Sequence, residues 1–240
     1  MKSTSLPGIS IVIPVYNENK SIDDYIDRVL SITGDVDQVV IVDGTSNDGT
    51  FEKLNSFLET HSDNNKVKLY RSEPGRARQM NFGAEKCFGD AIIFLHVDTT
   101  LPDDGIALVQ EKLKNGAYWG RFDVKLDAEP VMYRVIETIM NWRSACTSIA
   151  TGDQAIFVRT DVFKMINGFP VIPLMEDIAI SNHLKTVALT SRIKSPVLTS
   201  ARRWQDQGVW PTILLMSMIR LAFWFGIKPE RLARWYRKTS

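Results

Sequence analysis

Carboxylates follow two apolar runs of this chain, and a further acidic pair opens a later segment. Asp43 follows the run 38–42, Asp98 follows the run 91–97, and Glu176-Asp177 stands where a helix is expected to begin. In an open parallel sheet the ligand crevice lies at the carboxyl ends of the strands. Acidic groups collected there can hold a divalent cation, bind a ribose and take a proton from a nucleophile. This combination indicates chemistry on an activated sugar.

The loop after the first apolar run has residues suited to a nucleoside. Pro14 ends strand pairing and opens a loop at the edge of the sheet. There the ring of Tyr16 can stack on a base, and the carboxylate of Glu18 can reach ribose hydroxyls. Loops between strands and helices also carry such residues without binding anything, so a structural role stays open for this segment.

His96 and Asp98 are candidates for a metal site. Side chains two residues apart on a strand share a face, so these two are expected to point the same way. A carboxylate suits Mg²⁺ or Mn²⁺, with the diphosphate of a nucleotide donor supplying further oxygens. An imidazole suits softer divalent metals better. The structural alternative is a buried His96 that is bonded to the backbone.

Two predicted helix starts carry charged residues. Gly75 precedes Arg76 and Arg78, which together with the helix dipole make an anion site, with solvated surface charge as the alternative. The neighbours Glu176 and Asp177 diverge by about 100° around a helix and therefore serve different roles. One can act as a general base while the other holds a cation or caps the helix.

Alternating strands and helices are predicted to position these residues. Such alternation is typical of an α/β domain with a mostly parallel sheet. We expect this domain to span residues 1–205, with Asp48 capping a helix rather than binding a ligand. The predicted strands are 9–14, 38–42, 67–70, 91–97, 118–126 and 154–159, and the predicted helices are 20–32, 48–59, 75–87, 131–147 and 177–187.

Residues 206–240 differ from the rest and are predicted to form a helical, amphipathic tail. Residues 210–227 are almost wholly apolar, but 18 residues barely span a bilayer and Arg220 makes spanning costly. From Ala201 onward the chain has eight Lys or Arg and two acids, a net charge of +6. A helix over 230–238 mixes cations with aromatic rings, which suits an anionic membrane surface. Packing on the domain or in a homodimer is the alternative.

The composition limits the class of protein. The 240 residues are 44% hydrophobic and 24% charged, which favours a folded chain with a sizeable core. Cys87 and Cys146 lack metal-like spacing, and a disulfide framework is not expected. The segment before the first strand is short and polar, so a signal peptide is not expected. We therefore expect a cytoplasmic protein without a nucleic-acid partner, with the inner face of the cell membrane as an alternative position.

Taken in order, these segments resemble the motifs of the family 2 glycosyltransferases, which have a Rossmann-like GT-A fold. The likeness covers residues 9–205. Residues 14–18 (PVYNE) and 42–50 (VDGTSNDGT) resemble the family's two nucleotide-binding segments. His96-Val97-Asp98 stands at the family's Asp-x-Asp metal motif, with His96 in place of the first acid. Glu176-Asp177 matches the Glu-Asp motif, in which Asp177 would be the catalytic base.

A narrower resemblance concerns three segments. Residues 75–81 (GRARQMN), 173–177 (PLMED) and 200–204 (SARRW) are similar to a bacterial subgroup labelled as arsenosugar-biosynthesis glycosyltransferases. Arg203-Trp204 also resembles the end of the Gln-x-x-Arg-Trp motif of processive synthases, but Ser200 replaces the glutamine. The resemblance therefore implies transfer of single sugars.

The resemblance implies an inverting transferase that moves a sugar from a nucleotide-diphosphate donor, UDP-linked, to an acceptor hydroxyl with help from Mn²⁺ or Mg²⁺. Two alternatives remain open, a nucleotidyltransferase on a similar sheet and a non-catalytic, membrane-associated module that binds nucleotide sugars. The implied donor-binding residues are Pro14, Tyr16, Glu18, Asp43, Arg76, Arg78 and Asp98, the metal ligands Asp98 and His96, the catalytic residues Asp177 and Glu176, and the acceptor-side residues Gly152, Asp153, Gln154, Arg203 and Trp204.

Overall fold

The computed structural model describes residues 6–22, 26, 29, 32–60 and 65–239, without the side chains of 203 and 237–239. The predicted helix at 20–32 lies partly outside these residues. Of its predicted apolar positions, Ile22, Ile26 and Val29 are buried in the main core.

An eight-stranded sheet in the order β3-β2-β1-β4-β7-β6-β8-β5 forms the centre of the described chain. The first four strands in this order are parallel, whereas β7 runs antiparallel to both β4 and β6. The predicted α/β class is therefore confirmed. The half of the sheet that contains β7, β6, β8 and β5 is mixed rather than parallel. The strands are β1 (Ile9–Val15), β2 (Gln38–Asp43), β3 (Val67–Arg71), β4 (Ala91–Phe94), β5 (Thr99–Thr100), β6 (Trp119–Asp127), β7 (Ile156–Arg159) and β8 (Ser191–Ser200).

Helices cover both faces of the sheet and continue into the tail. The predicted helix at 131–147 has the predicted bounds, and the others differ by a few residues at their ends. The helices are α1 (Thr50–Thr60), α2 (Arg76–Glu85), α3 (Gly105–Lys114), α4 (Val131–Thr147), a 3₁₀ turn at Gly152–Gln154, α5 (Thr160–Met165), α6 (Glu176–Val187), α7 (Arg202–Gln207), α8 (Val209–Trp224) and α9 (Pro229–Thr239).

Strand β1 explains why its sequence is apolar at every position. Ile11 and Ile13 belong to the core on one face of the sheet, whereas Val12 belongs to the core on the other. Helix α2 closes on this second face at Gly83, where a Cβ atom would lie 2.5 Å from Cγ1 of Val12. The side chain of Gln79 in α2 then donates to the carbonyl oxygens at the ends of β1 and β2, at 2.8 and 2.9 Å.

Strand β4 is shorter than predicted. It ends at Phe94, and the amide of Thr99 donates to the carbonyl of His96 at 3.1 Å, which closes a turn. His96 and Asp98 therefore do not share a strand, and the expectation that they share a strand face is wrong. The amide of Ser200 donates to the carbonyl oxygen of Asp98 at 3.1 Å, so the end of β8 holds this turn.

The tail packs on the segment that leads into α6. Ile219 of α8 and Leu232 of α9 form a small buried cluster with Met175, the residue before Glu176. In the described part of the chain, no helix combines the length and the apolar character that are needed to cross a membrane.

Candidate active site

Hydrogen bonds from backbone amides to side-chain oxygens join the loop after β1 to the loop after β2. Asn17 has a left-handed backbone (φ 55°), and its amide donates to Oγ of Ser46 at 2.9 Å. Its Oδ1 in turn accepts from the amide of Asn47 at 3.0 Å. The amide of Glu18 donates to Oγ1 of Thr50 at 2.8 Å. The two predicted nucleotide-binding loops therefore form one braced surface.

Asp48 has the structural role that was expected for it. Its Oδ1 accepts from the amide of Thr50, where α1 begins, and its Oδ2 accepts from the amide of Asn19, both at 3.1 Å. The pKa of the Asp48 carboxyl is lowered. Burial alone would raise this pKa, but the hydrogen bonds from Thr50 and Asn19 outweigh it. This carboxylate braces the loops.

One carboxylate oxygen of Asp43 has no hydrogen-bond partner among the described residues. The side chain is fully buried, and its Oδ2 accepts from the amide of Ser46 at 3.0 Å. Arg71 approaches the same oxygen, with its Nε 3.9 Å away. The other oxygen, Oδ1, is buried without a hydrogen-bond partner in the described residues. Since an unpaired buried acceptor costs about 1–3 kcal/mol, this oxygen is suited to a ligand's N–H or O–H.

Residues from four separate segments line one narrow pocket with a cavity volume of about 10 Å³. Sequence reasoning selected five of them. Asp43 and Asp98 are not among the lining residues, so the structure does not bring all the predicted acids to one cavity. The lining residues are Arg76, Met80, Phe94, His96, Gly152, Ile156, Phe169, Glu176 and Asp177.

Asp177 is held by two backbone amides. Its Oδ1 accepts from the amide of Ile178 at 2.8 Å, and its Oδ2 accepts from the amide of Gly152 at 3.1 Å. Met175 precedes the pair in a left-handed conformation (φ 70°), which turns the chain into α6. These contacts fix the carboxylate while leaving it partly exposed to solvent.

Glu176 lies in a different environment from its neighbour. It is buried, and its Oε1 is 3.5 Å from Nη1 of Arg76. Burial and the charge of Asp177 raise the pKa of Glu176, and the charge of Arg76 opposes that rise. The two adjacent acids therefore differ in exposure and in partners, as groups with different roles would.

His96 packs against Gly152 and pairs with Asp153. The distance from its Nδ1 to Oδ1 of Asp153 is 3.4 Å. A Cβ atom at position 152 would lie 2.1 Å from Cε1 of His96, so only glycine fits there. The pKa of Asp153 is lowered. Burial alone would raise this pKa, but the hydrogen bond and charge of His96 outweigh it.

Replacing Gly152 by alanine tests this packing. We expect Gly152→Ala to displace the His96 ring and to lower the free energy of unfolding by about 1–3 kcal/mol. The activation free energy of transfer should rise by at least the same amount. Thermal unfolding and steady-state kinetics measure the two effects. Gly34→Ala is the matched control, because a Cβ atom there would meet no atom within 4 Å. Equal behaviour of the two variants would contradict the packing argument.

The other predicted residues are not among those that line this pocket. Arg78 pairs with Glu73 at the surface, at 3.4 Å. Gln154 is fully buried, and its Oε1 accepts from the amide of Thr151, which caps the 3₁₀ turn. Trp204 packs against the main core, and the side chain of Arg203 lies outside the described residues. Pro14 is buried at the end of β1, and Tyr16 is 51% exposed.

Two arginines near the site were not selected from the sequence. Arg143 lies in α4, and neither its Nε nor its Nη2 has a hydrogen-bond partner in the described residues, although both are buried. Burial and the charge of Arg220 lower the pKa of Arg143 to about 10. Arg220 comes from α8, where the sequence showed it only as a cation interrupting an apolar run.

The chain matches the family model "Glycosyl transferase family 2" over residues 10–168. Glycosyltransferase AglE of Haloferax volcanii is 34% identical over 98 residues, which cover 40% of this chain and 32% of that protein. Undecaprenyl-phosphate 4-deoxy-4-formamido-L-arabinose transferase of Aeromonas hydrophila is 28% identical over 119 residues, 48% and 36% of the two chains. The chain thus spans little more than a third of these relatives at most.

Solved structures share the fold at low sequence identity. Staphylococcus aureus TarS 1–349 has a TM-score of 0.63 and 17% identity, covering 81% of this chain and 60% of that one. Mannosyltransferase PcManGT from Pyrobaculum calidifontis, solved with GDP-Man and Mn²⁺, has a TM-score of 0.63 and 19% identity, covering 82% and 57%. The GT-A fold implied by the sequence resemblance is confirmed.

Proposed function

The chain belongs to glycosyl transferase family 2, and we propose that it transfers a sugar from a nucleotide-diphosphate donor to an acceptor hydroxyl. The observation that carries this proposal is the Asp177 carboxylate. Two backbone amides fix it at the start of α6, in a pocket that it shares with Arg76 and His96. A fixed, partly exposed carboxylate beside an arginine suits a general base in sugar transfer.

In this mechanism Asp177 takes the proton of the acceptor hydroxyl. The hydroxyl oxygen attacks the anomeric carbon as the bond from that carbon to the phosphate oxygen breaks. The leaving nucleoside diphosphate takes the bonding electron pair, and attack from the opposite side inverts the anomeric centre. Glu176, with its raised pKa and its contact to Arg76, has a positioning role in this scheme.

The braced loops after β1 and β2 would bind the nucleoside. The unpartnered Oδ1 of Asp43 would accept from the base or ribose, the exposed ring of Tyr16 would stack on the base, and Glu18 would reach the ribose. Arg76 and Arg78, in the first turn of α2, would face the diphosphate. UDP is the proposed nucleotide; TarS has been solved with UDP and with UDP-GlcNAc, and PcManGT with GDP-Man.

In this proposal a divalent cation would be held at Asp98. This carboxylate lies at the carboxyl edge of the sheet and has only a long hydrogen bond, 3.5 Å from Oγ1 of Thr99, in the described residues. The described chain has no group of three or more His, Cys, Asp or Glu that could hold a metal, so donor oxygens would complete the coordination. His96 is engaged by Asp153 and Gly152, which makes it the weaker ligand. A bound Mn²⁺ or Mg²⁺ would neutralise charge on the diphosphate.

Replacing Asp98 tests the cation site. We expect Mn²⁺ to increase the affinity of the wild-type protein for UDP, and Asp98→Asn to remove most of that increase. Calorimetric titration of UDP with and without Mn²⁺ measures it. Asp103→Asn is the control, because Asp103 is an exposed acid in the next loop. Undiminished metal dependence in Asp98→Asn would contradict the assignment.

The products distinguish the proposed transfer from its alternatives. A panel of nucleotide sugars is offered without acceptor, and slow hydrolysis of the donor is followed. Release of nucleoside diphosphate supports sugar transfer, whereas release of pyrophosphate would show a nucleotidyltransferase. Donor binding without turnover, with or without added acceptors, would show a non-catalytic module.

Four narrower predictions belong to this proposal. The resemblance to the arsenosugar-biosynthesis subgroup and the transfer of single sugars stay predictions about the substrate. The division into a domain of residues 1–205 and a tail of 206–240 stays a prediction as well. We further propose that the tail contacts a membrane surface, since α9 exposes Arg231 and Arg234 opposite the buried Leu232. A homodimer contact through the same tail is the alternative.

A further inference from the structure

The ring of His96 is held on two sides by the turn next to the proposed base. Its Nδ1 lies 3.4 Å from Oδ1 of Asp153. On the other side of the ring, a Cβ atom at position 152 would lie 2.1 Å from Cε1 and 2.3 Å from Nε2. Both ring nitrogens therefore lie against residues of the 3₁₀ turn, one facing a carboxylate and the other covered by Gly152.

Gly152 links this ring to the proposed base. Its amide donates to Oδ2 of Asp177 at 3.1 Å. The same residue packs against His96, and packed interiors transmit small shifts because they have little free space. A displacement of the ring therefore displaces the amide that holds the carboxylate. His96 acts on Asp177 through one intervening residue, and all three line the same pocket.

Other contacts hold the rest of the 3₁₀ turn. The side chain of Ser144 in α4 and the amide of Thr151 both donate to Oε1 of Gln154, at 2.9 and 3.1 Å. The amide of Ala150 donates to Oγ of Ser181 in α6 at 3.1 Å. These bonds anchor the flanks of the turn to two helices without help from His96. The turn can therefore stay folded when the ring is changed, while its side at residues 152–153 moves.

The backbone of His96 belongs to the turn that also contains Asp98. The amide of Thr99 donates to the carbonyl oxygen of His96, and the amide of Ser200 donates to that of Asp98, both at 3.1 Å. The imidazole and the carboxylate of the proposed cation site thus extend from one braced turn, two residues apart. This turn contacts the base through the ring and would contact the donor through the carboxylate.

We propose that His96 is a positioning residue, which holds the Asp177 carboxylate in place through Gly152 and so fixes the distance between the general base and the cation site at Asp98. The inference rests on the proposed function. Asp153 explains why position 96 has no acid, because two carboxylates so close together would repel each other. Imidazole suits the position, since Nδ1 can donate to Asp153 while Cε1 packs against Gly152.

Hydrogen exchange at the Gly152 amide tests the inference without any substrate. The full chain is labelled with ¹⁵N-glycine, and the amide signal that is missing from Gly152→Ala belongs to Gly152. We expect His96→Asp to make exchange at this amide at least about tenfold faster, as Asp177→Ala should by removing the acceptor. His183→Asp is the matched control, the same substitution at an exposed histidine of α6, and should leave this exchange unchanged.

Two further variants separate positioning from a general loss of structure. In the double variant His96→Asp with Asp153→Asn, an amide at position 153 can donate to the carboxylate at position 96, so most of the protection at Gly152 should return. His96→Asn keeps a donor near the place of Nδ1 and should speed the exchange by at least about threefold, less than His96→Asp does. Unchanged exchange in His96→Asn, or no recovery in the double variant, would overturn the inference.

Kinetics and donor binding show whether the role is positioning or metal ligation. Misplacing a catalytic group by about 1 Å can cost about a hundredfold in rate, so kcat of His96→Asp should fall about ten- to hundredfold. The donor KM should stay within about twofold, because the nucleoside loops are untouched. In His96→Asn the increase in UDP affinity with Mn²⁺ should also stay within about twofold of the wild type. Loss of that increase, as expected for Asp98→Asn, would make His96 a metal ligand and overturn the inference.

Failure of this inference is distinguishable from failure of the proposed function. If the wild type releases nucleoside diphosphate from a nucleotide sugar and His96→Asp does so at the same rate, the positioning role alone fails. If no nucleotide sugar in the panel is bound or turned over by the wild type, the proposed function fails. Exchange at Gly152 would then report packing of the turn and no catalytic role.

Discussion

Asp177→Asn is expected to abolish sugar transfer while the donor still binds. A positioned general base contributes about 10²–10⁴ to the rate, and an amide cannot take the proton. Asparagine has nearly the same shape, and its single oxygen can still accept from the amide of Ile178 or of Gly152. The fold loses one hydrogen bond of about 1 kcal/mol. The expected effect is therefore on the rate and hardly on stability.

Parallel measurements separate the role of the base from that of the donor site. The rate of transfer is followed in steady state, and UDP-sugar affinity by calorimetry. Asp161→Asn is a matched control, since Oδ1 of Asp161 accepts from the next amide, Val162, at 2.8 Å, as Asp177 does from Ile178. Asp161 lies at the start of α5 and away from the site pocket. Retained transfer in Asp177→Asn, or loss of donor binding with it, would refute the assignment.

The sequence was a good guide where local pattern decides the structure. Continuous apolar residues in β1 follow from its burial on both faces, which places Pro14 and the next loop at the carboxyl edge of the sheet. The bounds of α4 agree with those predicted from the sequence. Asp48 could be interpreted correctly because the residues that it braces are near in the sequence or in the neighbouring loop.

The sequence was a poor guide where distant segments decide. His96 continues an apolar run, and only the tertiary contacts of the following turn, to the end of β8, show that β4 stops before it. The contact of Asp177 with Gly152 joins residues 25 positions apart. Arg143 looks like an ordinary helix cation until α8 is seen to bring Arg220 towards the same acids. A pattern within one segment contains no information about contacts between segments that are distant in the sequence.

Residues 75–81 include one residue whose role was predicted from the sequence and others whose roles were not. Residues 75–81 were interpreted as an anion site because of their glycine and arginines. Arg76 does line the site pocket. Gln79, which drew no attention, joins the ends of β1 and β2 by donating to a carbonyl of each. Nδ2 of Asn81 donates to the carbonyl oxygen of Phe169, and Oδ1 of Asn81 accepts from the amide of Phe169, both at 2.8 Å. These bonds fix the start of the segment that leads to α6. Much of this motif therefore positions the site rather than touching a ligand.

Asp123→Asn is expected to cost about 3–5 kcal/mol of folding free energy, the largest loss of stability among these variants. Arg121 is 1% exposed, and its Nη1 donates to Oδ1 of Asp123 at 2.7 Å. Arg192 of β8 donates to both oxygens, at 2.8 and 2.6 Å, across a bulge in the β6–β8 pairing. Removing the negative charge leaves Arg121 buried without a counter-ion. Domains of this kind have about 5–15 kcal/mol in total, so a large share is lost.

Urea unfolding of a matched set measures this loss. Glu52→Gln removes an exposed ion pair, in which Nη2 of Arg71 is 2.7 Å from the glutamate, and should cost less than about 1 kcal/mol. The double variant Arg121→Met with Asp123→Leu should recover most of the stability, because no charge then stays buried without a partner. If Asp123→Asn costs no more than Glu52→Gln, either water solvates Arg121 or another acidic group neutralises it. The β6–β8 pairing then depends on its backbone bonds rather than on this carboxylate.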